Sequence, residues 1–354
     1  RAASAGPRRW RLRRGAALDD DRVGAEEGGE GEDGNFNLVD MLIKKSRGAN
    51  ELGICAADWH RELYDEAPDG YLEALGAGLD FVDVVVGNTS LPILANTPAD
   101  VTPRFSLRLA PRPTLGLGLI LNKALVKHWS VLGPLESSLS QLGVGCAETL
   151  TLHGSGAGRM NFPFWAYDAA AEAYNRGLCT KLGISHPNMT KQSVAKASEE
   201  LQRRGVLLSC VYLRLSLLDR GALELVAECR RLGLQVFASG ALGPDELASG
   251  RYTAANPTGG EISVPRFTLA QLLPLRPLHE ALASVAAQAR KRCEKQIDTT
   301  TVALQWVCSK GANPLCDVAS EANAKALAAC RDWSLTQGEV EQLDKAADEV
   351  KTRR

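Results

Sequence analysis

The sequence predicts one (β/α)8 barrel, a TIM barrel, over residues 50–351. Three observations predict it. Short apolar or β-branched runs alternate with longer amphipathic segments from about residue 51 onward. Eight such runs occur over about 300 residues, and a closed parallel barrel needs eight. No GxGxxG turn follows the first run, which disfavours the doubly wound open sheet, the next-best arrangement.

The eight strands are read in order as ELGICAA (51–57), FVDVVV (81–86), RFSLRLA (104–110), TLTLH (149–153), KLGIS (181–185), LLSCVYL (207–213), QVFASG (235–240) and NPLCDV (313–318). Between them, 188–205 carries apolar residues at helical spacing and stops at Gly205, and 217–233 stops in the same way at Gly233. Residues 299–311 and 324–333 read as helices. The last helix, 335–351, opens with Thr336 and Glu339 at capping-box spacing. GSGAG (154–158) lacks the spacing and context of a nucleotide fingerprint and reads as a loop.

Composition narrows the function. Hydrophobic residues make up 45% of the 354, enough for a sizeable core, and the net charge is −1. With a pI near 6.6 there is no global positive field, so nucleic acid is not an expected partner. The nine Cys are scattered without CxxC pairs, which reads as reduced core thiols and not as a metal site. No run reaches the roughly 18 apolar residues of a membrane span. The longest candidate, 114–126, is interrupted by Asn122 and Lys123.

Residues 1–36 differ in kind. RAASAGPRRWRLRR (1–14) has six Arg and no acid, like the end of an organellar transit peptide, and 19–33 is an acidic, Gly-rich linker. This extension is expected to be disordered.

Barrel sites lie at the C-terminal ends of the strands. The residues to weigh are therefore Asp83, Gly87 and Asn88, Arg108, His153, Ser185 and His186, Tyr212, Ala238 and Ser239, and the segment 314–323. Asp83 stands inside an apolar run, where an unpaired carboxylate is costly, and Arg108 on the next strand is its natural partner.

Several stretches resemble the aldo-keto reductases: SSLSQLGVGCAETLTLHGSG (137–156), KLGISHPNMTKQSVAKA (181–197), LSLLDRG (215–221), SGRYTAANPTGG (249–260), TTTVALQWVCSKG (299–311), and the pattern from Trp333 to Ala346. The likeness is to plastid-type members of plants and algae. It is strong from about residue 135 onward and weak over 87–135, where Pro92, Pro98, Pro103, Pro111 and Pro113 imply a lost or shortened second helix.

The resemblance implies a (β/α)8 barrel that binds NADPH and transfers hydride to an aldehyde or ketone. In the family a tyrosine gives the proton, a lysine lowers its pKa, an aspartate pairs with the lysine and a histidine orients the carbonyl. Asp83 matches the aspartate and His153 the histidine. Asn88 stands at the tyrosine position, and Arg108 at the lysine position. For the cofactor, Ser185 matches, while His186 replaces an asparagine, Tyr212 a glutamine and Ala238, next to Phe237, a stacking tyrosine. In the phosphate-binding segment Asp317 and Ala319 replace a glycine and a cation. Ser320 and Asn323 keep polar contacts, and Arg251 matches a lysine near the pyrophosphate loop.

The replacements cluster in the pocket while packing positions match. The expectation is a pseudoenzyme: a barrel of this family with impaired or lost hydride transfer, serving as a structural or regulatory subunit for a protein partner. The alternative is an active NADPH-dependent reductase of small carbonyl compounds, with water, His153 or His186 as proton donor. A nucleotide sensor without turnover is a third reading. The Arg-rich start and the resemblance together imply a plastid location.

Overall fold

The computed structural model describes residues 51–56, 69–87, 90–97, 101–111, 123–154, 162–259, 267–318 and 320–352. The expectations for 1–36, Asn88 and Ala319 fall outside these residues. Eight parallel strands close into a barrel: β1 (Gly53–Cys55), β2 (Phe81–Val85), β3 (Arg104–Leu109), β4 (Ala147–His153), β5 (Cys179–Ser185), β6 (Leu208–Arg214), β7 (Gln235–Ser239) and β8 (Asn313–Cys316). β8 returns to pair with β1, Gly53 opposite Leu315. The predicted fold class and all eight strands are present.

Register decides what enters the lumen, because side chains alternate between faces. Cys55 pairs with Asp83 and Asp83 with Ser106. Arg108 pairs with Thr151 and Thr151 with Gly183. His153 pairs with Ser185, Ser185 with Tyr212 and Tyr212 with Phe237. The lumen has its own apolar cluster of Phe81, Cys210, Tyr212, Phe237 and Leu315. Phe237 lies between two rings, stacked on Phe81 at 4.9 Å and on Tyr212 at 4.7 Å between centroids. Gly53 makes room for this stack, since a Cβ there would sit 2.4 Å from Leu315 and 3.0 Å from the Phe81 ring.

The N-terminal pole is closed by charge. Arg104 donates to Asp80, Glu51 and Glu148, and Lys181 donates to Glu148 and Gln235. The Arg104 guanidinium also lies 5.7 Å from the Phe81 ring centroid.

Helices cover the outside. Thr299–Ser309 is buried on every side from Thr300 to Cys308, as an all-round apolar helix must be, and Asp298 caps it through Thr301 N–H at 2.6 Å. The capping box before Gln337–Thr352 is reciprocal: Thr336 N–H donates to Glu339 at 2.7 Å, and Glu339 N–H to Thr336 Oγ1 at 3.3 Å. The helix expected over 324–333 instead runs Glu321–Ala328, because the Ser320 side chain caps it three residues earlier. Between β2 and β3 the described residues hold one short helix, Leu91–Leu94, with Pro92 in its first turn. Among the described residues, no helix is long and apolar enough to cross a membrane.

Candidate active site at the barrel mouth

The C-terminal end of the barrel gathers the charged strand residues. Arg108 Nη2 lies 2.5 Å from Asp83 Oδ2, with Asp83 fully buried and 9% of the Arg108 side chain exposed. Asp83 Oδ2 and Arg108 Nε meet no further hydrogen-bond partner among the described residues. Ser106 Oγ donates to the other carboxylate oxygen at 3.1 Å and is itself 2.6 Å from the Tyr212 hydroxyl. Arg108 Nη2 also donates to Cys55 Sγ at 3.8 Å. A chain of contacts thus runs from Tyr212 through Ser106 and Asp83 to Arg108 and Cys55.

Burial and charge set the protonation states. Burial raises the Asp83 carboxyl, against the opposing pull of Arg108 and Ser106. Burial works against the Arg108 cation, but Asp83, Cys55 and Tyr212 together outweigh it and the guanidinium stays charged. Burial pushes the Tyr212 phenol well above its usual value; the Cys210 and Asp83 charges add to this, and Ser106 and Arg108 offset only part. Tyr212 is completely buried. It lies inside the barrel, hydrogen-bonded to Ser106 and stacked on Phe237.

The rim carries the histidines. His153 Nδ1 is 3.1 Å from Ser185 Oγ. His186 lies against Gly154, where a Cβ would come within 2.5 Å of its ring, and its Nδ1 accepts from Asn188 N–H at 2.9 Å. His153 is held below the ordinary imidazole pKa by burial, then by Arg108 and His186. His186 is lowered by burial. Both rings are therefore predominantly neutral at pH 7.

The remaining cofactor candidates separate. Ala238 packs in the outer core between strand and helices; by alternation it is Phe237 that enters the lumen. Ser320 is occupied as a helix cap, accepting from Asn323 N–H at 3.3 Å. Asn323 Nδ2 donates to Glu246 Oε1 at 2.5 Å, and Arg251 pairs with the same carboxylate at 3.9 Å. Glu246 thus joins two of the predicted residues. Sequence reasoning did not single it out, because nothing local marks a loop acid 77 positions from its partner. Ser106 was also missed. Its signal was present in RFSLRLA, where polar residues 104, 106 and 108 alternate with apolar ones and mark a polar lumen face.

A cavity of about 640 Å³ lies beyond the ends of β2 and β3, lined by Val85, Gly87, Leu109, Leu125, His128 and Trp129 among others. Its size suits a small ligand. A slightly larger one, about 700 Å³, lies around Leu52, Lys310, Arg331 and Trp333, remote from the strand ends that carry the charged residues.

No protein-family model matches the chain. A chloroplastic pyridoxal reductase of Arabidopsis thaliana is 32% identical over 216 residues, 60% of this chain and 54% of that protein. The chain thus spans about half the length of this curated relative. In fold it is similar to a glycerol dehydrogenase from Gluconobacter oxydans, with a TM-score of 0.62 and 16% identity, covering 86% of this chain and 91% of the other. An aldo/keto reductase from Klebsiella pneumoniae, solved with NADP and acetate, aligns with a TM-score of 0.57 and 17% identity, over 84% and 91% of the two chains.

Proposed function

We propose that this chain, which resembles the aldo-keto reductases in sequence and shares their barrel fold, has kept that scaffold while its hydride-transfer chemistry is impaired or lost. On this reading it acts as a structural or regulatory binding protein. The observation that carries the reading is the Asp83–Arg108 pair, with Tyr212 fully buried and joined to it through Ser106. A phenol donates a proton near pH 7 only when a cation stabilises its phenolate and substrate can reach it. Here the cation is engaged by Asp83, and the phenol is shifted away from neutrality and fully buried. Arg108 does not release a proton, and an asparagine amide, the residue type at 88, is no acid.

The cofactor positions support the same reading. NADPH, when bound to a barrel of this family, supplies the hydride. The residues aligned with its phosphate contacts fit an anion poorly: Arg251 and Asn323 are both held by Glu246, and Asp317 adds a second acid.

The second reading, an active NADPH-dependent reductase with an atypical donor, is favoured by His153, a neutral imidazole on the rim beside Ser185. The likeness to a pyridoxal reductase also favours it.

Titration of the full chain with NADPH, followed by cofactor fluorescence and thermal shift, separates the two. No binding is expected. A Kd in the micromolar range or tighter overturns the reading of a dead cofactor site. Reduction of pyridoxal and 4-nitrobenzaldehyde is then assayed with the Asn88→Tyr/Arg108→Lys double variant. A rate that rises only in the double variant traces the loss to the proton donor, whereas steady turnover by the unmodified chain establishes the active reductase. A plastid location is supported by the Arg-rich start and by the likeness to a chloroplastic relative. A fluorescent fusion that stays in the cytosol refutes that location.

A further inference from the structure

The cavity of about 700 Å³ lies at the pole opposite the barrel mouth, where β1 and β8 begin. Leu52 before β1, the end of the helix Thr299–Ser309 and the segment 330–335 form its wall. That segment is held from behind by side chains that donate to its backbone carbonyls. Gln305 donates to Cys330 and Trp333, Lys295 to Arg331 and Asp332, and Arg292 to Ser334. Asp332 keeps a left-handed backbone there, with φ at 61°, which is costly for a residue other than glycine. A wall fixed in this way is preorganised for a ligand.

Gln305 supplies a polar point in the wall. It is 5% exposed and lines the cavity. Its Nε2 donates to the Cys330 carbonyl at 2.5 Å and to the Trp333 carbonyl at 3.0 Å, which fixes the orientation of the amide. Its Oε1 accepts no hydrogen bond among the described residues. A buried acceptor of this kind calls for an N–H or O–H donor.

The charges in the wall are of both signs. Lys310 is already neutralised by Asp344 at 2.7 Å. Arg331 is placed by two carbonyls, Ala77 at 2.6 Å and Gly78 at 2.7 Å, which leaves guanidinium N–H groups to spare. Asp80 feels its charge but is paired with Arg104 at 2.8 Å. Among the described residues neither Arg331 nor Asp332 has an ion-pair partner. A cation and an acid thus stand side by side, next to a buried acceptor and the apolar surfaces of Leu52, Trp333 and Leu335.

We infer that this cavity is a second ligand site, and that it takes a free amino acid with an apolar side chain. The carboxylate goes to Arg331 and the ammonium to Asp332 and Gln305 Oε1. The side chain lies along Leu52, Trp333 and Leu335. A ligand of one charge alone would leave Arg331 or Asp332 without its counterion, whereas a zwitterion satisfies both. The volume accommodates such a molecule. Binding at this pole does not depend on whether hydride transfer survives at the mouth.

The test labels the full chain with 5-fluorotryptophan and assigns the Trp333 and Trp129 fluorine resonances through Trp333→Phe and Trp129→Phe. L-phenylalanine is the probe. A saturable shift of the Trp333 resonance is expected, with a Kd below about 1 mM. Each half of the probe, 3-phenylpropanoate without the ammonium and 2-phenylethylamine without the carboxylate, should bind about tenfold more weakly or worse. Asp332→Asn, which tolerates the left-handed backbone, should weaken L-phenylalanine by about tenfold and leave 3-phenylpropanoate unchanged. No saturable shift at Trp333, an equal response to either half of the probe, a response at Trp129 instead, or indifference to Asp332→Asn overturns the inference. If that variant does not fold, the comparison of the three compounds on the unsubstituted chain decides it.

Discussion

Asp83 and Arg108 each make sense only with the other. A carboxylate with no exposed surface and a guanidinium with almost none form a pair that is weak evidence for stability as a unit, but whose halves are costly alone. Arg108→Met should therefore destabilise the fold by about 3–5 kcal/mol, measured by urea unfolding. Adding Asp83→Asn to it should recover most of that loss, because the stranded charge is gone. An additive pair of losses would show that Arg108 acts through packing instead. The pairing was legible in the sequence from one acid in an apolar run and one base on the next strand. Ser106 and Cys55, which complete the cluster, were not recognised, because a hydroxyl or a thiol in a strand is ordinary until register shows what it faces.

At the scale of elements, the strands were legible because each is a short apolar run bounded by polar or turn residues. Three of the helices were not singled out in the sequence. Phe164–Asn175 is buried at Trp165, Ala166, Tyr167, Ala169, Ala170, Ala171 and Ala173, so it shows no single apolar stripe. Arg276–Cys293 does carry a helical stripe, Leu278, Leu282, Val285 and Ala289, opened by Pro277 in its first turn, and was legible but not singled out. Asp69–Gly76 is short, and its tight packing depends on a glycine. A Cβ on Gly70 would sit 2.1 Å from the Val318 carbonyl oxygen and 2.6 Å from that of Ser320. Both are backbone atoms that cannot rotate away. Gly70→Ala should cost about 1–3 kcal/mol or more in thermal or urea unfolding. Gly76→Ala, at the other end of the helix with open space around it, should be neutral or slightly stabilising. Equal effects at the two sites would mean that helix propensity, not packing, governs this element.

At the scale of the whole molecule, three histidines bias stability in one direction. Burial lowers His153, His186 and His279, and in His279 the Leu247 carbonyl opposes the shift only in part. A group whose pKa is depressed on folding contributes its full stability above the unfolded value, about 6.5 for histidine, and loses it as pH falls toward the folded value. The urea midpoint should therefore drop as pH is lowered from about 7 to 5, and His153→Asn should flatten part of that slope. A midpoint unchanged over this range refutes the assignment. The barrel itself was legible because eight strands alternate with helices. The Glu246 link was not, since it joins the segment after β7 to the helix Glu321–Ala328, which only closure of the barrel brings together.

The stacked rings of Phe81, Phe237 and Tyr212, with Arg104 behind them, have one further consequence. They give the barrel a floor. Among the described residues this floor stands across the lumen, so for a molecule that reaches Arg108 or His153 from the C-terminal face the mouth it entered by is also its doorway out. When two ligands share that doorway, the deeper one enters first and departs last. Any traffic through this mouth is then a queue with a fixed order.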